Sequence, residues 1–110
     1  MTTLASKRCV ALPKGTPALT AERVRQLLAE VPAWSVDEKR AELRREFKFE
    51  NYAQTVAFAN AVGFLAERQD HHPDLTVSWG RCAVCYSTHS VGGLSENDFV
   101  LAAKIDHLAQ

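Results

Sequence analysis

Three of the four histidines in this 110-residue chain lie between residues 67 and 98. Two of them are adjacent, in the run His71-His72-Pro73, and the third is His89. Histidine titrates near neutral pH, so its imidazole can both donate and accept a proton under ordinary conditions. We therefore predict that this segment carries an active site in which histidines transfer protons.

The backbone around the two adjacent histidines limits what they can do together. Pro73 restricts the residue before it to extended backbone, and neighbouring side chains on extended backbone point in opposite directions. His71 and His72 can thus play two roles around one substrate, but they can hardly bind one metal ion side by side. From the residues alone, acid–base catalysis, a structural or surface role and metal binding all stay open for this pair.

His89 and the nearby acidic residues complete the candidate site. His89 lies where a predicted strand meets a glycine-rich loop, and loops held on a rigid scaffold often carry function. Asp98 has a competing structural explanation, because an acidic residue three positions after Ser95 caps and stabilises a helix. Glu67 and Asp70 lie at the predicted end of a helix, where negative charge is mildly unfavourable. A functional role therefore explains these two better.

The cysteines and the last histidine do not suggest a second site. Cys82 and Cys85 are three positions apart in a predicted strand, so their side chains point to opposite faces and cannot form a disulfide or bind one metal ion together. The odd number of cysteines, three in all, suits a reducing compartment. His107 falls in the last predicted helix, away from the other candidates, and we expect it at the surface.

Composition argues against partners of strong charge and against a membrane. Lysine and arginine number 13, as do aspartate and glutamate, so no overall field favours nucleic acid or an anionic surface. No run of residues is apolar enough to serve as a signal peptide or to span a bilayer. We expect a cytoplasmic protein without nucleic-acid or membrane partners.

Hydrophobic periodicity predicts the order of secondary structure. Residues 1–18 lack periodicity and contain prolines and a glycine, so we predict a flexible N-terminal arm. Helices are predicted after the capping residues Thr20, Asn51 and Ser95, and a pair of alternating strands falls in each of the two intervals between them. The second helix is the longest and most apolar and is expected to be central, with another element packed closely at its Gly63.

These elements predict a single α+β domain over residues 19–110. The order is helix, strand, strand, helix, strand, strand, helix, and the short links favour a four-stranded antiparallel sheet with three helices packed on one face. An edge strand would be free to pair with a second copy, so a homodimer or larger assembly is expected.

Two motifs connect these residues to a known family. The first is Glu67-x-x-Asp70-His71-His72-Pro73, and the second is Thr88-His89-x-x-x-Gly93-Leu94-Ser95-x-x-Asp98. Together they resemble pterin-4a-carbinolamine dehydratase, and the likeness extends from about Leu19 to Leu108. Trp79-Gly80 and the run Asn97-Asp98-Phe99 look more like the bacterial branch, which commonly accompanies phenylalanine hydroxylase.

The resemblance implies a reaction and a role for each candidate residue. The family removes water from 4a-hydroxytetrahydropterin to give the quinonoid dihydropterin, and so recycles the cofactor of an aromatic amino acid hydroxylase. His71, His72 and His89 match its catalytic histidines, of which we assign proton transfer to the first and third and positioning to the second. The substrate-binding residues implied are Glu67, Asp70, Ser87, Thr88 and Asp98, with Trp34 as an aromatic neighbour of the flat ring.

The resemblance also implies what else takes part. Family members are similar in a three-helix, four-strand fold that forms homodimers or pairs of dimers, with a pterin as substrate and with no metal ion or other cofactor. Two different functions remain as alternatives. The same fold could be a non-enzymatic dimerisation or coactivator module, or the histidines and an aspartate could form a metal-dependent hydrolase.

Overall fold

The computed structural model describes residues 3–109. Its elements are a short 3₁₀ helix Leu4–Ser6, α1 Ala21–Leu28, β1 Ser35–Asp37, β2 Glu42–Lys48, α2 Tyr52–Gln69, β3 Asp74–Ser78, β4 Arg81–Tyr86, a second 3₁₀ helix His89–Val91, and α3 Glu96–Leu108. The predicted order of helices and strands is confirmed. The helices also begin where predicted, since the side chains of Thr20 and Asn51 accept hydrogen bonds from backbone N–H groups of the first turn.

The four strands form one antiparallel sheet in the order β1-β2-β4-β3. In the central pair, Leu43 lies opposite Tyr86 and Phe47 opposite Cys82, and all four side chains are buried on one face. The alternating positions of β2 carry exposed charged residues. Because side chains alternate across a strand, only one face of the sheet packs against the helices. The predicted α+β class is therefore confirmed.

Helix α3, and not α2, is the most buried helix. Eight of its thirteen residues are buried, compared with four of eighteen in α2. Helix α2 buries a single stripe, while its Phe64 is 74% exposed. The prediction that α2 is central was therefore wrong, because its apolar residues lie all around the helix and only one side meets the sheet. The expected close packing at Gly63 was also wrong, since no atom of another element lies within 4 Å of a Cβ placed there.

The N-terminal segment is docked on the domain where the structure describes it. Leu4 is buried in the core, and Lys104 of α3 donates a hydrogen bond to the carbonyl oxygen of Ala5 at 2.8 Å. The prediction of a flexible arm did not include these contacts, because they join residues about a hundred positions apart. Residues 1 and 2 lie outside the described part of the chain. The boundary at residue 19 and the flexibility of the arm stay predictions.

None of the helices within residues 3–109 combines the length and the apolar character that crossing a membrane requires.

Candidate active site

The C-terminal end of α2 places His71 beside the sheet. Asp70 adopts the left-handed conformation, with φ of 52° and ψ of 43°. Its N–H donates to the carbonyl oxygen of Glu67 at 3.3 Å, and the N–H of His71 donates to the carbonyl oxygen of Ala66 at 3.1 Å. This pair of bonds is the Schellman motif, which ends a helix and turns the chain sharply. The motif therefore fixes the direction in which His71 leaves the helix.

His71 is hydrogen-bonded to Asp98 from the start of α3. The distance from Nε2 of His71 to Oδ1 of Asp98 is 2.5 Å. The imidazole is 13% exposed and the carboxylate is completely buried. An ionised carboxylate can only accept a hydrogen bond, so Nε2 is the donor and, in the neutral ring, Nδ1 carries the lone pair. The arrangement thus orients an imidazole whose other nitrogen can take or give a proton.

The second oxygen of Asp98 joins this pair to the loop after β4. Oδ2 accepts from the hydroxyl of Thr88 at 2.8 Å and from the backbone N–H of Ser95 at 2.9 Å. The bond to Ser95 belongs to a complete capping box at the start of α3. The predicted capping role of Asp98 is confirmed, but the same side chain also holds His71 and Thr88.

Tyr86 supports His71 in two ways that the sequence analysis did not predict. The two rings are stacked, with centroids 5.1 Å apart and planes inclined by 23°. The tyrosine hydroxyl donates to the carbonyl oxygen of His71 at 3.2 Å. Burial, together with the nearby Cys9 and Asp98, raises the pKa of Tyr86, so its hydroxyl stays a donor. The available signal was a buried tyrosine in an alternating strand, whose hydroxyl needs a partner.

His72 forms a second, more exposed pair with a carboxylate. Its Nε2 lies 2.8 Å from Oε1 of Glu67, and the two side chains are 55% and 78% exposed. A pair so accessible to water contributes little to stability, although it can orient the ring. Asp70, between them in sequence, is also exposed. The end of α2 therefore presents three polar side chains to solvent.

His89 lines a small cleft on the other side of Thr88. The cleft has a volume of about 230 Å³, and Ser87, Thr88 and His89 form part of its wall. The backbone of Thr88 is fixed by a hydrogen bond of 2.8 Å from its N–H to the carbonyl oxygen of Gly93. His71 and His72 are not in the wall of this cleft. The connection between the histidines instead runs from His71 through Asp98 to Thr88, which precedes His89.

Trp34 lies in a different cluster of contacts. Its indole N–H donates to Oδ1 of Asp106 at 2.7 Å, and the same oxygen accepts from Arg45 at 2.6 Å. Asp106 is eight residues beyond Asp98 on α3, a distance of about 12 Å along the helix. Trp34 also lines a larger cleft of about 660 Å³, which shares Ala41 and the two adjacent glycines, 92 and 93, with the His89 cleft. The structure thus separates Trp34 from the group around His71.

The cysteines lie as predicted, and His107 is at the surface. Cys82 is buried, whereas Cys85 is partly exposed, and both are free thiols. Burial, followed by the effect of Glu42, raises the pKa of Cys85 to about 12, so its thiol stays protonated at neutral pH. Within residues 3–109, no group of three or more histidine, cysteine, aspartate or glutamate side chains is arranged to hold a metal ion.

Comparison with known proteins identifies similar sequences over almost the whole chain. The family model described as pterin 4 alpha carbinolamine dehydratase matches residues 17–108. Relatives from Nitrosospira multiformis and Methylococcus capsulatus are 49% and 45% identical, over 97% and 96% of this chain and 93% of each relative. Both are named for pterin-4-alpha-carbinolamine dehydratase.

Two solved structures have a similar fold. The first is a transcriptional coactivator/pterin dehydratase from Brucella melitensis, with a TM-score of 0.80 and 29% identity over 84% of this chain and 99% of that one. The second is a pterin dehydratase-like protein described as a RuBisCO assembly factor in the alpha-carboxysome, with a TM-score of 0.61 and 28% identity over 71% and 94% of the two chains.

Proposed function

Because the chain belongs to the pterin 4 alpha carbinolamine dehydratase family, we propose that it removes water from a 4a-hydroxytetrahydropterin and releases the quinonoid dihydropterin. The observation that carries this proposal is the hydrogen bond of 2.5 Å between Nε2 of His71 and Oδ1 of Asp98. A histidine oriented by a buried carboxylate is suited to proton transfer, because its free nitrogen is held in one direction and the neutral ring in one tautomer.

The reaction needs one proton donor and one proton acceptor. The bond between C4a and its hydroxyl group breaks, and the departing oxygen takes a proton from a general acid to leave as water. A general base removes the proton from N5, and the electron pair of that N–H bond forms the new double bond between N5 and C4a. No electrons are gained or lost overall, so histidines can supply all of the chemistry.

We assign the base to His71 and the acid to His89. Nδ1 of His71 carries the lone pair when Asp98 accepts the proton of Nε2. His89 lies in the wall of the cleft that Thr88 also lines, where a protonated ring would face a bound ligand. His72, oriented by Glu67 at 2.8 Å, positions the substrate in this assignment.

Polar groups on both sides of this pair would recognise the pterin ring edge. The proposed substrate-binding residues are Glu67, Asp70, Ser87, Thr88 and Asp98, of which Asp98 is completely buried and would act on the ligand through His71 and Thr88. Trp34 is the proposed aromatic neighbour, and it would meet a ligand through the larger cleft that adjoins the His89 cleft.

The proposed reaction suggests partners and a place of action. We propose that the chain recycles the pterin of an aromatic amino acid hydroxylase in the cytoplasm, as a homodimer or a pair of dimers, and without a metal ion or other cofactor. The edge strands β1 and β3 each have one unpaired side within the sheet, which is compatible with pairing between copies.

A rate assay tests the proposed activity. Freshly generated carbinolamine decays spontaneously, and its ultraviolet absorbance reports the rate with and without the protein. We expect wild type and the surface control His107→Ala to accelerate the decay equally. His71→Ala and His89→Ala should be about 10- to 10⁴-fold slower, the range for a lost acid or base, with unchanged circular dichroism. Wild-type turnover in both variants would refute the assignment.

A binding function is the second candidate. One structural neighbour is described as a transcriptional coactivator as well as a dehydratase, and another as an assembly factor. This chain also exposes several large apolar side chains, among them Phe64 and Trp79. A pure binding module would leave the spontaneous decay of the carbinolamine unchanged. A metal-dependent hydrolase would instead lose activity with a chelator and regain it with zinc.

A further inference from the structure

The N-terminal segment is hydrogen-bonded to the two helix ends that supply His71 and Asp98. The backbone N–H of Cys9 donates to Oε1 of Gln69 at 2.9 Å, and Gln69 is the last residue of α2. Asn97, the second residue of α3, makes two bonds with Val10. Its Oδ1 accepts from the N–H of Val10 at 3.0 Å, and its Nδ2 donates to the carbonyl oxygen at 2.8 Å.

These bonds lie next to the candidate site in sequence and in space. Gln69 precedes His71 by two residues, and Asn97 directly precedes Asp98. Burial, followed by the nearby Asp98, raises the pKa of the Cys9 thiol to about 12. Cys9 in turn contributes, after burial, to the raised pKa of Tyr86. The thiol therefore lies within electrostatic reach of both residues that contact the His71 ring.

Different structural motifs fix the two helix ends at the site. His71 reaches its place through the Schellman turn after α2, whereas Asp98 is fixed by the capping box of α3. A hydrogen bond of 2.5 Å between them requires the two ends to keep one relative position, because such bonds weaken steeply with distance and angle. A backbone segment bonded to both ends supplies that constraint.

We propose that Gln69 and Asn97 are positioning residues, which use the backbone of Cys9 and Val10 to hold His71 at hydrogen-bonding distance from Asp98. The inference rests on the proposed function, in which that pair transfers the N5 proton. It assigns a role in the reaction to the segment that the sequence predicts to be a flexible arm. Asn97 is buried, so its amide loses both partners if the segment moves away, which opposes release.

The test uses two substitutions that remove the side-chain partners and two that serve as controls. Gln69→Ala removes the acceptor of the Cys9 N–H, and Asn97→Ala removes both bonds to Val10. Gln69→Glu keeps an acceptor for the N–H of Cys9 and should restore wild-type behaviour. Lys7→Ala breaks the ion pair of the same segment with Glu96, 2.6 Å long, and leaves the hydrogen bonds of Gln69 and Asn97 in place. Each is made in the full-length protein.

Two measurements distinguish positioning from general stability. We expect kcat to fall by about 10-fold or more in Gln69→Ala and Asn97→Ala with little change in KM, because a misplacement of about 1 Å is enough to slow chemistry. The exchangeable proton on Nε2 of His71, for which we expect a sharp proton NMR resonance in wild type, should broaden or vanish in both. Gln69→Glu and Lys7→Ala should keep both the rate and the resonance.

Wild-type kcat and a wild-type resonance in Gln69→Ala and Asn97→Ala would overturn the inference, even where His71→Ala is inactive and the proposed function holds. If wild type leaves the spontaneous decay unchanged, the proposed function fails, and if His71→Ala is fully active, only the assignment of the base fails. In both cases the resonance alone still decides whether the segment positions the pair. Gln69 is only partly buried, so its variant carries the test if Asn97→Ala fails to fold.

Discussion

Nε2 of His71 lies 2.5 Å from Oδ1 of Asp98, although one residue follows α2 and the other belongs to the first turn of α3. The carboxylate is completely buried and accepts two further hydrogen bonds, from Thr88 and Ser95. One side chain therefore caps a helix, anchors the loop before His89 and orients an imidazole. These three functions should respond together when Asp98 is changed.

Asp98→Asn is expected to lower both stability and activity. The amide has the same size as the carboxylate, but its NH₂ group replaces an oxygen that now accepts a hydrogen bond. At least one of the donors His71, Thr88 and Ser95 therefore loses its acceptor. Leaving a buried donor unpaired costs about 1–3 kcal/mol, and losing the orientation of His71 should slow dehydration by about 10²-fold. Urea unfolding and the carbinolamine assay measure the two effects.

Glu96→Gln is the matched control, because Glu96 lies in the same helical turn but pairs with Lys7 at the surface. Its free energy of unfolding should change by no more than about 0.5 kcal/mol. A fully active Asp98→Asn protein would show that the carboxylate does not orient the reacting histidine.

Asp70→Gly is expected to stabilise the protein while it weakens substrate binding. Asp70 has a φ of 52°, a conformation that costs an L-residue about 1–2 kcal/mol and glycine almost nothing. If the carboxylate reads the pterin ring, its loss should raise KM. Thermal unfolding and initial rates measure the two effects.

Asp70→Asn separates the charge from the backbone strain, because asparagine tolerates the left-handed conformation nearly as well as aspartate. This variant should match the KM of Asp70→Gly without its full gain in stability. A glycine variant less stable than wild type would mean that the aspartate side chain supports the turn.

Local patterns in the sequence predicted the elements of this fold, but not all of their contacts. Capping residues such as Thr20 and Asn51 form hydrogen bonds with the turn that follows them, and strand alternation involves adjacent residues. Both patterns are local, so the sequence is enough to predict them. The role of Tyr86 and the bonds between Asn97 and Val10 join residues that are distant in sequence. The periodicity of the sequence does not predict such partners, because their contacts depend on how the helices and strands pack against one another.

In the candidate site, too, the sequence predicted local features but not long-range contacts. Pro73 and the Ser95 cap predicted that His71 and Asp98 would lie at element ends, and the structure places them there. The hydrogen bond between them required the relative position of α2 and α3. That position depends on the contacts of α2 with β3 and β4, on the contacts between α2 and α3, and on the docked N-terminal segment.

Gly63→Ala is expected to raise the free energy of unfolding by about 0.5–1 kcal/mol, the usual difference between the two residues inside a helix. The new methyl group meets no atom within 4 Å, so no steric cost opposes the gain. Ala57→Gly, at another exposed position of α2, should lower stability by a similar amount. Urea unfolding of both variants measures the difference. A less stable Gly63→Ala protein would show that another molecule packs against this face of α2.

Stability should fall in alkaline solution because of Cys9 and Cys85. Burial, as the largest cause, raises the pKa of each thiol from 9.0 to about 12. Below pH 9 both the folded and the unfolded chain keep these protons, so the contribution of the thiols to the free energy of unfolding is constant. Between about pH 9 and about pH 12 the unfolded chain loses protons that the folded chain retains, so the free energy of unfolding decreases as the pH rises. Urea unfolding across this range should give a shallower decrease for a variant that combines Cys9→Ala and Cys85→Ala. An equal slope in wild type and variant would mean that the thiols titrate alike in both states.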